Sequence, residues 1–391
     1  MNILHIITDS NIGGAGRLLL AFLREYDRQI FNLEVALPQG SLLAREITAL
    51  NVAFTELPFI AEKSFSLKGL KEISRLIKAK KPDIVHTHAS LAGRIAAKIR
   101  GCKIVHSRHY CVDTTDDNAT RFPFKQATGF INHFFSDAII ATAPEVKKGL
   151  VATGTRPEHI SVICNGVPPA RELSAEEKLA VREKYGIPPE AFVVSQIARL
   201  TEVKGHDYTL EAAKLWADEC LASLNNVTHT HTGGFGIAVL LAGDGPLEGH
   251  IRQRVENEKL ANVRLTGFIS DIDEIYNITD VQINSSFTET TCLTLLEGMS
   301  LGVPAVATDG GGNPHTLKHG KSGLIVPVGD AAALAGAVLA IKSDAALREK
   351  LSRGAIEEYQ ANFRADKMAR SIENLYLKVG TANTNTEKRR P

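Results

Sequence analysis

Short runs of β-branched and aliphatic residues alternate along the chain with longer stretches of helical periodicity, and no other feature constrains the fold as much. Strands apolar on both faces need helices over both, which is the pattern of parallel βαβ units. In the first half the strand-like runs are Ile3 to Ile7, Leu33 to Leu37, Val52 to Leu57, Ile84 to Thr87, Lys103 to His106 and Ala138 to Ala141. The second half repeats the scheme with Val193 to Ala198, Ala238 to Ala242, Val263 to Leu265, Val281 to Asn284, Pro304 to Ala307 and Gly323 to Val326. The expected class is α/β, with two doubly wound, Rossmann-like domains facing a central cleft, because ligands of such sheets bind beyond the carboxyl ends of the strands. The expected division is a first domain over 1–165, an interdomain linker over 166–189, a second domain over 190–354, a C-terminal helix over 355–378 and a disordered polar tail over 379–391. The linker is placed by Pro168, Pro169, Pro188 and Pro189 around a charged helical stretch.

At 391 residues the chain can bury two full cores, and 44% apolar content suits a globular protein. A net charge of +1 gives no overall pull towards nucleic acid, so none is expected as a partner. Cys102, Cys111, Cys164, Cys220 and Cys292 form no C-x-x-C pair, which fits a reduced, cytoplasmic setting. The opening MNILHIIT has no charged leader or cleavage site, and no apolar run reaches the length of a membrane span.

Charge and glycine gather at loops. Glu289 and Glu297, with seven residues between them, flank a stretch expected to be helical from Thr290 to Leu301, with Leu293, Leu296 and Met299 facing inward. A helix starting just after Glu289 would offer free backbone N–H groups to phosphate and carry both carboxylates along one edge of a ligand. Arg199 and Lys204 leave the carboxyl end of the first strand of the second half, where two cations can neutralise a diphosphate. Gly13, Gly14 and Gly16 follow the first strand of the chain and would let backbone amides approach such a group. Gly243-Asp244-Gly245-Pro246 reads as a structural tight turn, and Gly310-Gly311-Gly312-Asn313 as a turn at the ligand edge. His86 and His88 read as strand-end packing, while His229 and His231 read as a solvated loop without a third metal ligand.

In this order, GGAGR at 13–17, ICNGV at 163–167, ARLTEVKG at 198–205, AGDGP at 242–246, LTGFISD at 265–271, the glutamate pair and GVPAVATDGGGNP at 302–314 resemble glycosyltransferase family 4, the retaining nucleotide-sugar transferases of GT-B architecture. The resemblance implies that Arg199 and Lys204 hold the donor diphosphate, that Glu297 binds the donor ribose and that Glu289 sits at the transferred sugar. It also implies that Gly13, Gly14, Gly267, Phe268, Thr290, Thr291, Cys292 and Leu293 border the donor. His109, in VHSRHY, resembles the family histidine near donor sugar and acceptor. Thr290, Thr291 and Cys292 stand where glycines are common, Ala198 replaces a frequent glycine, and His315 stands where an acidic residue is usual.

The expected chemistry is metal-independent transfer from a UDP- or GDP-linked sugar to a hydroxyl of a glycan or lipid-linked acceptor in cell-envelope assembly, with no cofactor. Asp271 and Asp273 spell D-x-D, but they precede a helix and read as caps rather than metal ligands. The rivals are a sugar-nucleotide epimerase or a phosphorylase of the same architecture and a non-catalytic nucleotide-sugar-binding protein. A basic helix carrying Lys68, Lys71, Arg75, Lys78, Lys80 and Lys81, with Arg121, Phe122, Phe124, Lys125, Phe130, Phe134 and Phe135 further on, suits peripheral contact with the cytoplasmic face of an anionic membrane.

Overall fold

The computed structural model describes residues 1–110, 123–225 and 236–381. Two compact units divide the chain: Met1–Pro168 together with Phe363–Pro391, and Pro169–Asn362. Every strand run expected from the sequence is a strand, and each sheet is parallel throughout.

In the first unit the strands are β1 (Asn2–Ile7), β2 (Asn32–Pro38), β3 (Ala53–Leu57), β4 (Ile84–His88), β5 (Lys103–Arg108), β6 (Ala138–Ala141) and β7 (Ile160–Val162), in the order β3-β2-β1-β4-β5-β6-β7. The sequence reading missed β7, whose three residues at the sheet edge are too few to show a period. Side chains alternate across the sheet. One face buries Leu4, Ile6, Val85 and Ile104 against Ile73, Leu76 and Ile77 of helix Leu67–Lys80 and Ala92, Ala96 and Ala97 of helix Leu91–Ile99. Ser66 caps the first of these helices by accepting from the Gly69 N–H. The opposite face carries His5, His86 and His88, near Leu18, Leu19 and Phe22 of helix Gly14–Glu25 and Met368, Ile372 and Tyr376 of helix Ala365–Thr381.

The second unit holds β8 (Phe192–Ile197), β9 (Ile237–Ala242), β10 (Val263–Gly267), β11 (Val281–Asn284), β12 (Ala305–Thr308) and β13 (Leu324–Val326), ordered β10-β9-β8-β11-β12-β13. Its core packs Trp216, Leu210 and Ala213 of helix His206–Asn225 and Leu334, Val338 and Ile341 of helix Ala331–Ser343 against Val194, Val239, Ile283 and Val306.

The junctions differ from the expected ones. The 166–189 segment is mostly part of the second unit: Leu173, Val181 and Ile187 pack with Val193, Leu240 and Ile275. Helix Ala175–Lys184 inside it starts from a reciprocal cap, the Ser174 hydroxyl accepting from the Glu177 N–H and the Glu177 carboxylate from the Ser174 N–H. The expected 355–378 helix is two elements, Ala345–Glu358 in the second unit and Ala365–Thr381 in the first, separated by a π-helical turn at Tyr359–Phe363. Backbone bonds between Val167 and both Phe363 and Ala365 tie the second crossing to the first. Helix Ala365–Thr381 enters the segment expected as a tail, whose remainder lies outside the described residues, as do His229, His231, Cys111, Arg121 and Phe122.

Candidate functional site

In both sheets the strand order reverses once, between β1 and β4 in the first unit and between β8 and β11 in the second. Loops leaving such a pair at the carboxyl edge diverge and open a crevice, which is where doubly wound sheets take ligands. Of the residues singled out from sequence, Gly13 and Gly14 follow β1, Arg199 and Lys204 follow β8 and Glu289 follows β11, all strands that flank a reversal.

In the second unit the loop after β8 carries Arg199 and Lys204, and the loop after β11 carries Glu289. The Lys204 ammonium meets Glu289 Oε1, which also accepts from the Ser286 hydroxyl at 2.8 Å and the Asn284 amide at 3.4 Å. Burial works against the Lys204 charge, but the nearby Glu289 carboxylate, with Cys292 and the hydrogen bond, outweighs it and holds the ammonium pKa above that of an ordinary lysine. Lys204 is therefore a fixed cation, and Glu289 points its carboxylate into a nest of donors.

Backbone packing sets this pair. The Gln196 amide donates to the Lys204 carbonyl at 2.9 Å and to Ser285 Oγ at 3.1 Å, and the Thr209 hydroxyl donates to Gln196 Oε1 at 2.7 Å. Ser285 Oγ in turn lies 3.0 Å and 2.9 Å from the carbonyls of Lys204 and Gly205. The Phe287 N–H donates to Val203 at 2.9 Å, fastening the two loops together. The triple glycine seats the Glu289 loop from below. A Cβ on Gly310, Gly311 or Gly312 would overlap the carbonyl oxygen of Phe287, Glu289 or Thr290 respectively, Gly311 has φ +62, and the Gly312 N–H donates to Glu289 at 2.8 Å. These glycines, expected at the ligand edge, are needed by backbone contact.

The helix after Glu289 begins later than expected. It spans Leu293–Ser300 with Cys292 at the N-cap, and no side chain caps it. Two β-branched threonines, the first of them pressed on Gly312, favour irregular backbone over a helical turn. Leu295, Leu296 and Met299, rather than Leu293, are its deeply buried residues. Glu289 and Glu297 consequently do not share a helix face. Glu297 is 7% exposed, its Oε2 lying 3.1 Å from the Tyr276 hydroxyl. Burial, reinforced by the Glu289 charge, pushes the Cys292 thiol pKa up, so it stays protonated.

Arg199 is exposed, and among the described residues its guanidinium has no partner. Its backbone is pinned: the Leu200 N–H donates to the Asp244 carbonyl at 2.7 Å, and Gly243 and Gly245, at φ +139 and +154, lie against the carbonyls of Ala198 and Leu200. Gly267, at φ +70, and Phe268, 73% exposed, end β10 at the same edge. Asp271 and Asp273 are engaged by Arg171, through its guanidinium at 3.2 Å and its N–H at 2.9 Å.

In the first unit Gly13 caps helix Gly14–Glu25 without any side-chain hydrogen bond, and a Cβ on Gly14 would touch nothing within 4 Å. No packing demands glycine at Gly14; its small size leaves open space beside uncapped amides. Across the reversal lies a group that joins His86 and His88, expected as strand-end packing, to His109, expected near the donor sugar and acceptor. His5, His86, His88 and His109 form one hydrogen-bonded array with Tyr376 and Ser107. Burial depresses every ring, His5 to about 3 and His109 to about 4, the latter helped by Arg108. The rings of His5, His86 and His88 stand close enough to hold a metal, yet all six of their nitrogens already have hydrogen-bond partners. The alternating histidines of VHTH were the available signal, and His5, paired with His86 across β1 and β4, had none.

A family model described as Glycosyltransferase Family 4 matches residues 12–171, and one described as Glycosyl transferases group 1 matches residues 177–358. EpsD of Bacillus subtilis strain 168 is 29% identical over 308 residues, 72% of this chain and 76% of that one. The Escherichia coli UDP-Gal:alpha-D-GlcNAc-diphosphoundecaprenol alpha-1,3-galactosyltransferase is 26% identical over 319 residues, 80% of this chain and 79% of that one. Among solved structures, Anabaena HepE in complex with UDP-glucose superposes with a TM-score of 0.81 at 18% identity, covering 97% of this chain and 100% of that one.

Two outcomes follow from this geometry. Gly311→Ala forces a side chain into left-handed backbone, at about 1–2 kcal/mol, and displaces the Glu289 carbonyl besides; its thermal midpoint should fall, and an unchanged midpoint would contradict the packing described. The second concerns acid. The buried histidines bind no proton in the folded state until well below 6.5, whereas unfolded ones do, so each withdraws roughly 1.4 kcal/mol of stability per pH unit between its two pKa values. Urea unfolding at pH 7, 6, 5 and 4 should show stability constant above about 6.5 and falling steadily below it.

Proposed function

Because this chain belongs to the family 4 glycosyltransferases of GT-B architecture, we propose that it moves a sugar from a nucleoside diphosphate to a hydroxyl of a glycan or lipid-linked acceptor, with retention at the anomeric carbon. One observation carries the reading: a half-buried lysine paired with a glutamate at the strand-order reversal of the second unit, beside an uncapped helix N-terminus. A donor diphosphate binding there exchanges the Lys204 contact with Glu289 for a contact with phosphate, and Arg199, unpaired and exposed, closes on it from the same loop. Both cations stabilise the charge that grows as the diphosphate leaves. Glu289, then free of Lys204 but still held by Ser286 and Asn284, faces the sugar and supports the positive charge at its anomeric carbon. The acceptor hydroxyl attacks from the face the diphosphate has left, its proton passing to the departing phosphate. Glu297 receives the ribose. The scheme needs no metal and no cofactor. UDP is the favoured carrier, since HepE was crystallised with UDP-glucose and the galactosyltransferase takes its sugar from UDP-Gal by name.

Glu289→Gln should retain donor binding and lose most turnover, while Arg199→Ala and Lys204→Ala should lose rate and diphosphate affinity together, by about 2–4 kcal/mol each. Thermal shift against UDP, GDP and ADP sugars reads the donor, and anomeric NMR of the product reads the stereochemistry. Full activity in Glu289→Gln, or abolition by EDTA, sinks the scheme. Product formation without any acceptor would point to an epimerase.

We further place the protein at the cytoplasmic face of an anionic membrane in cell-envelope glycan assembly. No helix among the described residues is long and apolar enough to cross a bilayer. The support is a surface of the first unit: Phe124, Phe130 and Phe134 are exposed on one helix, Lys98 lies over the Phe134 ring, and the lysines of helix Leu67–Lys80 solvate its outer side. Sedimentation should require anionic vesicles, weaken with salt and fall when Lys78, Lys80 and Lys81 become glutamate; equal binding to neutral vesicles, or none to anionic ones, overturns the placement.

A further inference from the structure

The histidine array of the first unit has a direction, and that direction can be read from one end. Ser107 is buried, and among the described residues the only hydrogen-bond partner of its hydroxyl is His86 Nε2, at 2.8 Å. A buried hydroxyl donor left unused is costly, so Ser107 donates and His86 Nε2 accepts. A neutral imidazole carries one N–H, so His86 donates through Nδ1 to the Tyr376 oxygen at 2.5 Å. Tyr376 must then give its own proton to His5 Nε2 at 3.1 Å. His5 donates through Nδ1 to His88 Nε2 at 3.1 Å, and His88 through Nδ1 to His109 Nε2 at 2.9 Å. The last ring is left with its proton on Nδ1. That atom is buried and among the described residues has no hydrogen-bond partner.

We infer that Ser107, His86, Tyr376, His5 and His88 are positioning residues that lock His109 as the Nδ1–H tautomer, so that it presents a neutral N–H donor to an oxygen of the bound ligand and not a base. A neutral histidine side chain in water prefers the other tautomer, and all four rings here are set against that preference at once. The inference rests on the proposed function only in taking the ligand to be the sugar donor or its acceptor. The depressed ring pKa values fit it, since a neutral donor keeps its proton throughout. Stacking of His88 on His86 and His109, with centroids 4.6 Å and 5.2 Å away, fixes the ring planes that the hydrogen bonds need.

Long-range ¹H–¹⁵N spectra of the histidine-labelled full chain distinguish the two tautomers at each ring. His5, His86, His88 and His109 should all be Nδ1–H, and Nε2–H at these rings overturns the inference. Ser107→Ala should shift His109 towards Nε2–H although the two side chains do not touch, and Ser107→Thr, which keeps the hydroxyl, should restore it. With activity measured on UDP-sugar, Ser107→Ala and Tyr376→Phe should lower kcat/KM by roughly 3- to 10-fold, the loss of one neutral hydrogen bond, with Ser107→Thr near wild type. An unchanged tautomer in Ser107→Ala, or one equivalent of a divalent metal per purified chain, overturns the array. A wild-type rate in His109→Ala with the tautomers as expected leaves the array standing and removes instead the ligand contact assigned to His109.

Discussion

The pairing of Lys204 with Glu289 is the contact on which the second unit's ligand edge depends, and it exists because backbone meets backbone at glycine. Each partner sits on a loop whose path is set where a Cβ would not fit: Gly205 against Ser285 on one side, Gly311 and Gly312 against Glu289 and Thr290 on the other. Gln196, Thr209 and Ser285 then spend their hydrogen bonds on one another and on the carbonyls of Lys204 and Gly205. A charged pair on two flexible loops would lose most of its attraction to side-chain entropy and solvent. Here the fold itself removes that entropy, so the pair is held in place by its loops.

The two units treat the carboxyl edges of their sheets by opposite means. The second concentrates charge and holds it with donors. The first removes charge, burying histidines so deeply that each stays neutral, and leaves polarity to hydrogen-bond direction alone. Gly14, beside an uncapped helix, has no neighbour that requires it to be small.

Much of this was legible in the sequence, and the failures have physical causes. Both sheets follow from two-sided apolar runs, because a buried parallel strand leaves a dense, unmistakable pattern. β7 escaped because three residues at an edge carry no period. Glu289, Arg199 and Lys204 could be picked out since charges at strand ends stand out from apolar surroundings. Asn284, Ser286 and Gln196 could not, being ordinary polar residues whose importance lies in which carbonyl or carboxylate they reach. The helix start was placed at Thr290 because spacing says nothing of the glycine turn twenty residues on that bends Thr290 out of helical geometry. The closing span 355–378 was read as one helix standing apart from both domains, where it is two elements that belong to different units, for a related reason. Its apolar stripe of Met368, Ile372 and Tyr376 announces a buried face but not which sheet it covers.

That helix changes how the molecule must come into being. The second unit is one uninterrupted stretch, Pro169–Asn362, inserted between the two parts of the first. On a ribosome the usual order, N-terminal body first, is inverted: the second unit has all its strands and can close while the first still waits for residues 365–381. Until they emerge, the face bearing His5, His86 and His88 lacks Tyr376, and its rings have neither the cover that keeps them neutral nor the hydroxyl that joins His86 to His5. His5, His86 and His88 therefore acquire their final protonation only once residues 365–381 have been made.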